Sequence, residues 1–108
     1  MKERRVNPRI PLENILYFNT ISDGRTLRSV LLDISVVGAR VGLPPGDALP
    51  PTGSEVMFKD CSVLGPLLDN RTATVMWGGG VQFGVQFTQA LDVSLESIAV
   101  LLQSEIFY

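Results

Sequence analysis

The sequence predicts a mainly β fold, a six-stranded antiparallel barrel followed by one C-terminal helix. Three observations lead to this prediction. Several short segments alternate apolar and polar residues, as strands with one buried face do. Turn-forming residues separate these segments at short intervals. The last segment changes to a helical repeat, and one helix after a run of short strands is typical of a barrel with the helix across one opening or flank.

The chain is expected to form one domain with a short N-terminal extension. It has 108 residues, of which 45% are hydrophobic, enough for one core and too few for two. Pro8 and Pro11 disfavour helical backbone in the residues that precede them. Residues 1–11 are therefore predicted to form an extended arm, and residues 12–108 the barrel with its terminal helix.

The first half of the barrel is predicted to begin with a hairpin. Leu12–Thr20 is rich in residues that favour strands and ends at the turn-forming Ser22–Gly24. Thr26–Ser35 is its expected partner strand. There the apolar residues alternate, which turns two polar residues to the opposite face: the apolar set is Val30, Leu32, Ile34 and Val36, and the polar pair is Asp33 and Ser35.

The alternation changes phase after this strand, because Val37, Ala39 and Val41 are the next apolar positions. A bulge or bend near Val36–Gly38 is therefore predicted. Such a bend would keep Asp33, Ser35, Gly38 and Arg40 on one continuous surface.

The second half begins with a loop over 43–53, which contains four prolines and two glycines. Ser54–Val63 is predicted to return as a strand. The clearest hairpin joins Ala73–Trp77 to Val81–Thr88 through a turn at Gly78–Gly80, and its alternation directs Trp77 to the core side.

The end of the chain is predicted to be an amphipathic helix with Asp92 or Ser94 as its N-cap. The apolar residues at helical spacing are Leu91, Leu95, Ile98, Leu102 and Ile106.

The charge distribution is uneven. The net charge is −2, but residues 1–9 carry four basic residues against one acidic residue, a net +3, which leaves −5 for the remainder. An acidic body argues against DNA or RNA as the partner, because duplex binding depends on neutralising many phosphates. A cationic arm suits a small, multiply charged anion.

The single cysteine, Cys61, forms no internal disulfide, and no apolar stretch reaches membrane-spanning length, so we expect a cytoplasmic protein without membrane insertion.

The composition also argues against an enzyme. The chain has no histidine, which removes the commonest general base and the commonest metal ligand. One cysteine and scattered carboxylates give no metal-ligand spacing, and Gly78–Gly80 lacks the other residues of a P-loop. No catalytic residue, metal site or cofactor is predicted.

The remaining motifs are Arg5-x-x-x-Arg9 in the arm and Asp33-x-Ser35-x-x-Gly38 in the barrel. Taken alone, the arginines suit a solvated arm, and the second motif suits a turn with a bulge glycine. In their order and separation, however, they are similar to the paired RxxxR and [DN]xSxxG motifs of PilZ domains, the bacterial receptors of cyclic di-GMP. The resemblance extends over nearly the whole chain. It includes GARV at Gly38–Val41, the tryptophan before the late turn, and GVQF at Gly84–Phe87.

The resemblance implies a six-stranded barrel with cyclic di-GMP held between the arm and the outer surface. Arg5 and Arg9 would then contact phosphate and guanine, while Asp33, Ser35 and Gly38 line the other side. The residue types suit these roles, because guanidinium fits both phosphate oxygens and the acceptor edge of guanine.

Four further residues are candidate ligand contacts. Arg4 matches the family position associated with binding the ligand as an intercalated pair. Arg40 is either a ligand contact or an exposed strand charge. Trp77 is either a core residue or a surface on which a base stacks, and Gly84 either allows close approach of the arm or marks a bend.

The predicted function is therefore a cyclic di-GMP receptor and adaptor, in which the ligand orders the arm against the barrel and alters a surface for an unidentified protein effector. Such a role belongs to bacterial second-messenger signalling in motility or biofilm formation. The protein is expected to be a monomer or a homodimer modulated by ligand. One alternative is a ligand-independent adaptor of the same family, for example in motility or pilus assembly. Another is a barrel that binds single-stranded RNA or DNA, against which the acidic body and the core-directed aromatic residues argue.

Overall fold

The computed structural model describes residues 9–12 and 15–106, in which seven antiparallel strands form one sheet. In chain order the elements are β1 (Ile10–Pro11), β2 (Tyr17–Ser22), β3 (Arg25–Ile34), β4 (Gly38–Gly42), β5 (Glu55–Lys59), a 3₁₀ turn (Ser62–Leu64), α1 (Gly65–Leu68), β6 (Thr72–Gly79), β7 (Gln82–Phe87) and α2 (Leu95–Ile106).

Six of these strands close into a barrel. The order across the sheet is β1-β3-β2-β5-β6-β7-β4, and an additional pairing of β3 with β4 completes the ring. The two-residue β1 lies outside the ring beside the end of β3, where Ile10 pairs with Ile34 and Pro11 with Asp33. The predicted six-stranded barrel with a C-terminal helix is confirmed. Because β1 pairs with β3, Ile10 and Pro11 of the predicted arm are part of the sheet.

The core is built from the inward faces of all six strands and is closed by α2. Phe58 lies at its centre and packs edge to face on Phe18 and Phe87, with ring centroids 5.5 and 6.3 Å apart. Ile98 of α2 is fully buried, and the helix packs on the 3₁₀ turn. The Ser94 hydroxyl accepts a hydrogen bond from the Ser97 N–H at 3.1 Å, so Ser94 is the predicted N-cap.

The predicted strand Ser54–Val63 is too long. β5 ends at Lys59 because the backbone takes left-handed conformations at Asp60 and Ser62, both with φ of 58°. The chain then enters the 3₁₀ turn and α1, which the sequence analysis missed. The overlooked signal was Pro66 directly after Gly65, since proline is favoured in the first turn of a helix.

Two bulges change which residues face outward, and neither was predicted at its position. In β3 the pairing with β4 shifts between Leu31 and Asp33, so Leu32 is the extra residue. As a result Leu31 and Ile34 are both buried in the core, and Asp33 turns to the outer face. Of the bulge or bend predicted near Val36–Gly38, the structure has the bend, because Val36 and Val37 lie in the turn of a β3–β4 hairpin. The bulge lies earlier, at Leu32.

The second bulge lies in β6, where the pairing with β7 shifts between Val75 and Trp77. Val75 is fully buried, whereas Met76 and Trp77 are 51% and 45% exposed. The prediction that Trp77 faces the core is therefore wrong. Alternation failed here because Met76 is an extra residue that moves Trp77 to the outer face.

No helix within the described ranges combines the length and apolar character that crossing a bilayer requires.

Candidate functional site

Four predicted site residues lie side by side in one row across four strands. Asp33 of β3 pairs with Arg40 of β4, Arg40 pairs with Gly84 of β7, and Gly84 pairs with Trp77 of β6. Residues paired directly across a sheet point to the same face, and here that face is the outer surface of the barrel. Three strand spacings of about 4.8 Å make the row about 14 Å long. The two bulges turn both ends of this row outward.

Asp33 connects two arginines at one end of the row. Its Oδ1 accepts a hydrogen bond from Arg9 Nη1 at 3.0 Å, and its Oδ2 accepts one from Arg40 Nε at 2.9 Å. The Asp33 side chain is only 12% exposed, against 31% and 40% for Arg9 and Arg40. The carboxylate is thus enclosed between two guanidinium groups that still reach solvent.

Strand β1 determines where Arg9 lies. The pairing of Pro11 with Asp33 brings the preceding residues to the end of β3. The Leu12 N–H also donates to the Leu32 carbonyl at 3.1 Å, which continues the pairing into the bulge. Arg9 is thereby held next to Asp33 by backbone contacts as well as by its own side chain.

Gly84 makes room for the indole of Trp77. A Cβ at Gly84 would collide with Trp77 Nε1 and lie 2.5 Å from Cε2, so the ring covers this position. Because Gly84 separates Trp77 from Arg40 within the row, an aromatic surface and a guanidinium group face the same space above β7. Stacking on an aromatic ring and donation from arginine are both used to hold purine bases.

An open cleft of about 590 Å³ lies over this row. Six of the predicted site residues line it: Arg9, Asp33, Gly38, Arg40, Trp77 and Gly84. Three residues that were not predicted also line it: Met76, Gln82 and Gln86. The two glutamines had a usable signal, since they alternate with Gly84 along β7 and so share its face.

Ser35 is the predicted residue that the structure does not place in the cleft lining. It is 1% exposed, and its hydroxyl accepts hydrogen bonds from the Val37 and Gly38 N–H groups at 3.3 and 3.2 Å. The Ser35 N–H donates to the Gly38 carbonyl at 2.8 Å. Ser35 therefore closes the β3–β4 turn, and this turn sets Asp33 opposite Arg40.

Gly38 permits close approach of two strands. A Cβ there would collide with the Val85 carbonyl oxygen of β7. The serine and glycine of the motif thus shape the backbone, while its aspartate supplies the carboxylate that holds Arg9 and Arg40. Arg4 and Arg5, the other predicted contacts, lie outside the described residues.

The site offers charge-assisted donors and an aromatic ring around one carboxylate. Guanidinium groups fit phosphate oxygens and guanine acceptors, and a carboxylate accepts from guanine N–H groups.

Among residues 9–12 and 15–106, no three His, Cys, Asp or Glu side chains form a group that would hold a metal ion. Cys61 lies elsewhere in the core, where burial and the neighbouring Asp69 carboxylate raise the pKa of its thiol.

The aromatic residues are less uniformly buried than the sequence predicted. Trp77 is 45% exposed, and Tyr17 is 48% exposed with the Arg28 guanidinium 5.0 Å from its ring centroid. The statement that the aromatic residues are directed to the core is therefore wrong for these two. The direction of the aromatic residues therefore no longer argues against a nucleic-acid partner.

Comparison with known proteins identifies the family of this chain. A search of curated proteins finds none that matches the chain. The sequence model of the PilZ domain matches residues 3–104, nearly the whole length. The barrel, the terminal helix and the paired motifs agree with this match, and the chain belongs to the PilZ domain family.

Proposed function

We propose that this chain is a bacterial receptor for cyclic di-GMP that acts as an adaptor and not as an enzyme. The observation that carries the proposal is the row Asp33–Arg40–Gly84–Trp77 with Arg9 bound at its end. Membership of the PilZ domain family supports the same ligand. The binding needs no metal ion or other cofactor.

The ligand lies in the cleft, with each residue type in a role that suits its chemistry. Arg9 and Arg40 donate to phosphate oxygens and to guanine acceptors. The Trp77 ring provides a surface on which one base stacks. Asp33 accepts from guanine N–H donors in exchange for part of its present bonding to the arginines.

Arg4 and Arg5 complete the site from the arm. Their positive charge balances the phosphates, and Arg5 contacts the ligand from the side opposite the sheet. Ligand bound between arm and barrel orders the arm and changes the surface presented to a protein effector, in the cytoplasm and in control of motility or biofilm formation. Ser35 contributes to ligand binding indirectly, because the turn that it closes sets Asp33 opposite Arg40.

Isothermal titration calorimetry with cyclic di-GMP tests the proposal. GTP, cyclic AMP and a short single-stranded RNA serve as comparison ligands, the RNA because Tyr17 and Trp77 are exposed. We expect binding of cyclic di-GMP alone. Absence of binding would contradict the proposal and favour the ligand-independent adaptor, and tight RNA binding would favour the single-strand binder.

A matched pair of variants locates the site. Arg9→Ala removes a charge-assisted contact and should weaken binding about ten- to a hundredfold, corresponding to about 1.5–3 kcal/mol. Arg25→Ala removes an equal charge from the far end of β3, about 26 Å from Asp33 by strand length, and should change affinity little. Equal effects of the two would contradict this location. Gel filtration with and without ligand separates the monomer from the ligand-modulated homodimer.

A further inference from the structure

Gln82 lies outside the two sequence motifs of the proposed ligand site, but its side chain contacts that site. It lies on the outer face of β7, two residues before Gly84 and opposite Gly42 of β4. Its Oε1 accepts a hydrogen bond from Arg40 Nη1 at 2.9 Å. This contact is diagonal across β4 and β7, since Arg40 itself pairs with Gly84.

The Arg40 guanidinium is consequently fixed at two points. Asp33 accepts from Nε at 2.9 Å, and Gln82 accepts from Nη1 at the same distance. Two hydrogen bonds from different nitrogens define the plane of a rigid, flat group. Nη2 has no partner among the described residues, so its two N–H donors and the second N–H of Nη1 are left for a ligand in the cleft.

A single bond would leave Arg40 far less ordered. The side chain is 40% exposed, and a solvent-exposed arginine keeps much of its rotamer freedom. Ordering it only when the ligand arrives would weaken binding, whereas a group held in place beforehand binds without that loss. Gln82 supplies the second point at little electrostatic cost, because a neutral amide adds no negative charge beside an anionic ligand.

We propose that Gln82 is a positioning residue that holds Arg40 so that its free donors face the acceptor edge of a guanine base. This inference rests on the proposed cyclic di-GMP binding and assigns part of its base selectivity. Guanine presents the acceptors O6 and N7, which two guanidinium donors match. Adenine presents an N6 donor beside N7, and arginine has no acceptor for it. Loss of Gln82 should therefore reduce discrimination as well as affinity.

The test compares Gln82→Met with Gln89→Met. Gln89 is exposed just after the end of β7, and it does not line the cleft or bond to Arg40. Calorimetry is run with cyclic di-GMP and with cyclic di-AMP. Gln82→Met should weaken cyclic di-GMP binding about three- to tenfold and lower the ratio of the two affinities. Gln89→Met should change either affinity less than about twofold.

A double-mutant cycle with Arg40→Met separates positioning from a general structural effect. If Gln82 acts through Arg40, Gln82→Met has no further effect once Arg40 is replaced. The same loss in both backgrounds, or equal effects of the two glutamine variants, would overturn the inference while leaving the proposed function intact. If the unaltered chain does not bind cyclic di-GMP, the proposed function fails, and this inference fails with it.

Discussion

Replacing Asp33 with alanine tests whether the carboxylate organises the site before any ligand arrives. Asp33 accepts one hydrogen bond from Arg9 and one from Arg40, at 3.0 and 2.9 Å. The variant loses both acceptors at once. Because β1 pairs with the end of β3 over only two residues, the contact with Arg9 is a substantial part of what holds this segment.

The expected loss follows from how exposed the partners are. A hydrogen bond to a charged group contributes about 1.5–3 kcal/mol where water is excluded. The arginine side chains are 31% and 40% exposed, so water replaces part of each lost contact. We therefore take about 0.5–1 kcal/mol for each bond, or about 1–2 kcal/mol in total. For a chain of this size that corresponds to a fall in Tm of about 5–10 °C.

Urea denaturation followed by circular dichroism measures the effect without added salt, which would screen the charges. Asp47→Ala is the matched control, since it removes the same charge from an exposed loop. We expect Asp47→Ala to change the free energy of unfolding by less than about 0.5 kcal/mol. Equal losses in the two variants would refute the reasoning that Asp33 stabilises the site through its arginine partners.

Further predictions concern the close contacts and the buried thiol. Gly38→Ala forces a Cβ into the Val85 carbonyl and should lower the free energy of unfolding by about 1–3 kcal/mol in urea denaturation. Gly84→Ala displaces only the Trp77 ring, so it should lower the free energy of unfolding by less and should shift the tryptophan emission. A larger loss for Gly84→Ala than for Gly38→Ala would contradict this. The raised pKa of Cys61 means that the folded chain favours the neutral thiol. The free energy of unfolding should therefore be independent of this group below the ordinary thiol pKa of 9.0. Above that pH it should fall by up to about 1.4 kcal/mol per pH unit. Denaturation at pH 8, 9 and 10 should show this fall in the native chain in excess of that in Cys61→Ala, and parallel curves would show the assignment to be wrong. Cys61 should also resist alkylation by iodoacetamide at pH 8 until the chain is unfolded, because the reactive species is the thiolate.

The sequence was sufficient for the barrel because alternation and turn residues are local signals. The Asp23-Gly24 turn shows this well: both residues have positive φ, 51° and 78°, as the tight hairpin turn there requires. Asp33, Gly38 and Arg40 line one cleft, as their predicted common surface requires, whereas Ser35, which was predicted to share that surface, is buried. The common face of Asp33 and Arg40 was predicted from period-two spacing with a change of phase between them.

The bulges were not predictable in the same way. A bulge is defined by two residues of one strand lying opposite one residue of its partner, so it depends on pairing between distant segments. Nothing near Leu32 or Met76 marks either of them as the extra residue. This is why the sequence placed Trp77 inside the barrel and assigned the change of phase to Val36–Gly38. The same limit hid the hydrogen bond between Gln82 and Arg40, which are 42 residues apart, although alternation with Gly84 indicated the face on which Gln82 lies.

The most direct test of the account follows the Trp77 indole N–H during a titration with cyclic di-GMP. The chain has one tryptophan, so its indole gives a single signal in a ¹H–¹⁵N spectrum and needs no further assignment. If the ligand lies on the row Asp33–Arg40–Gly84–Trp77, this signal shifts with ligand concentration and stays in place when cyclic AMP is added. A bound ligand that leaves the indole signal unmoved, or no binding at all, would contradict the account.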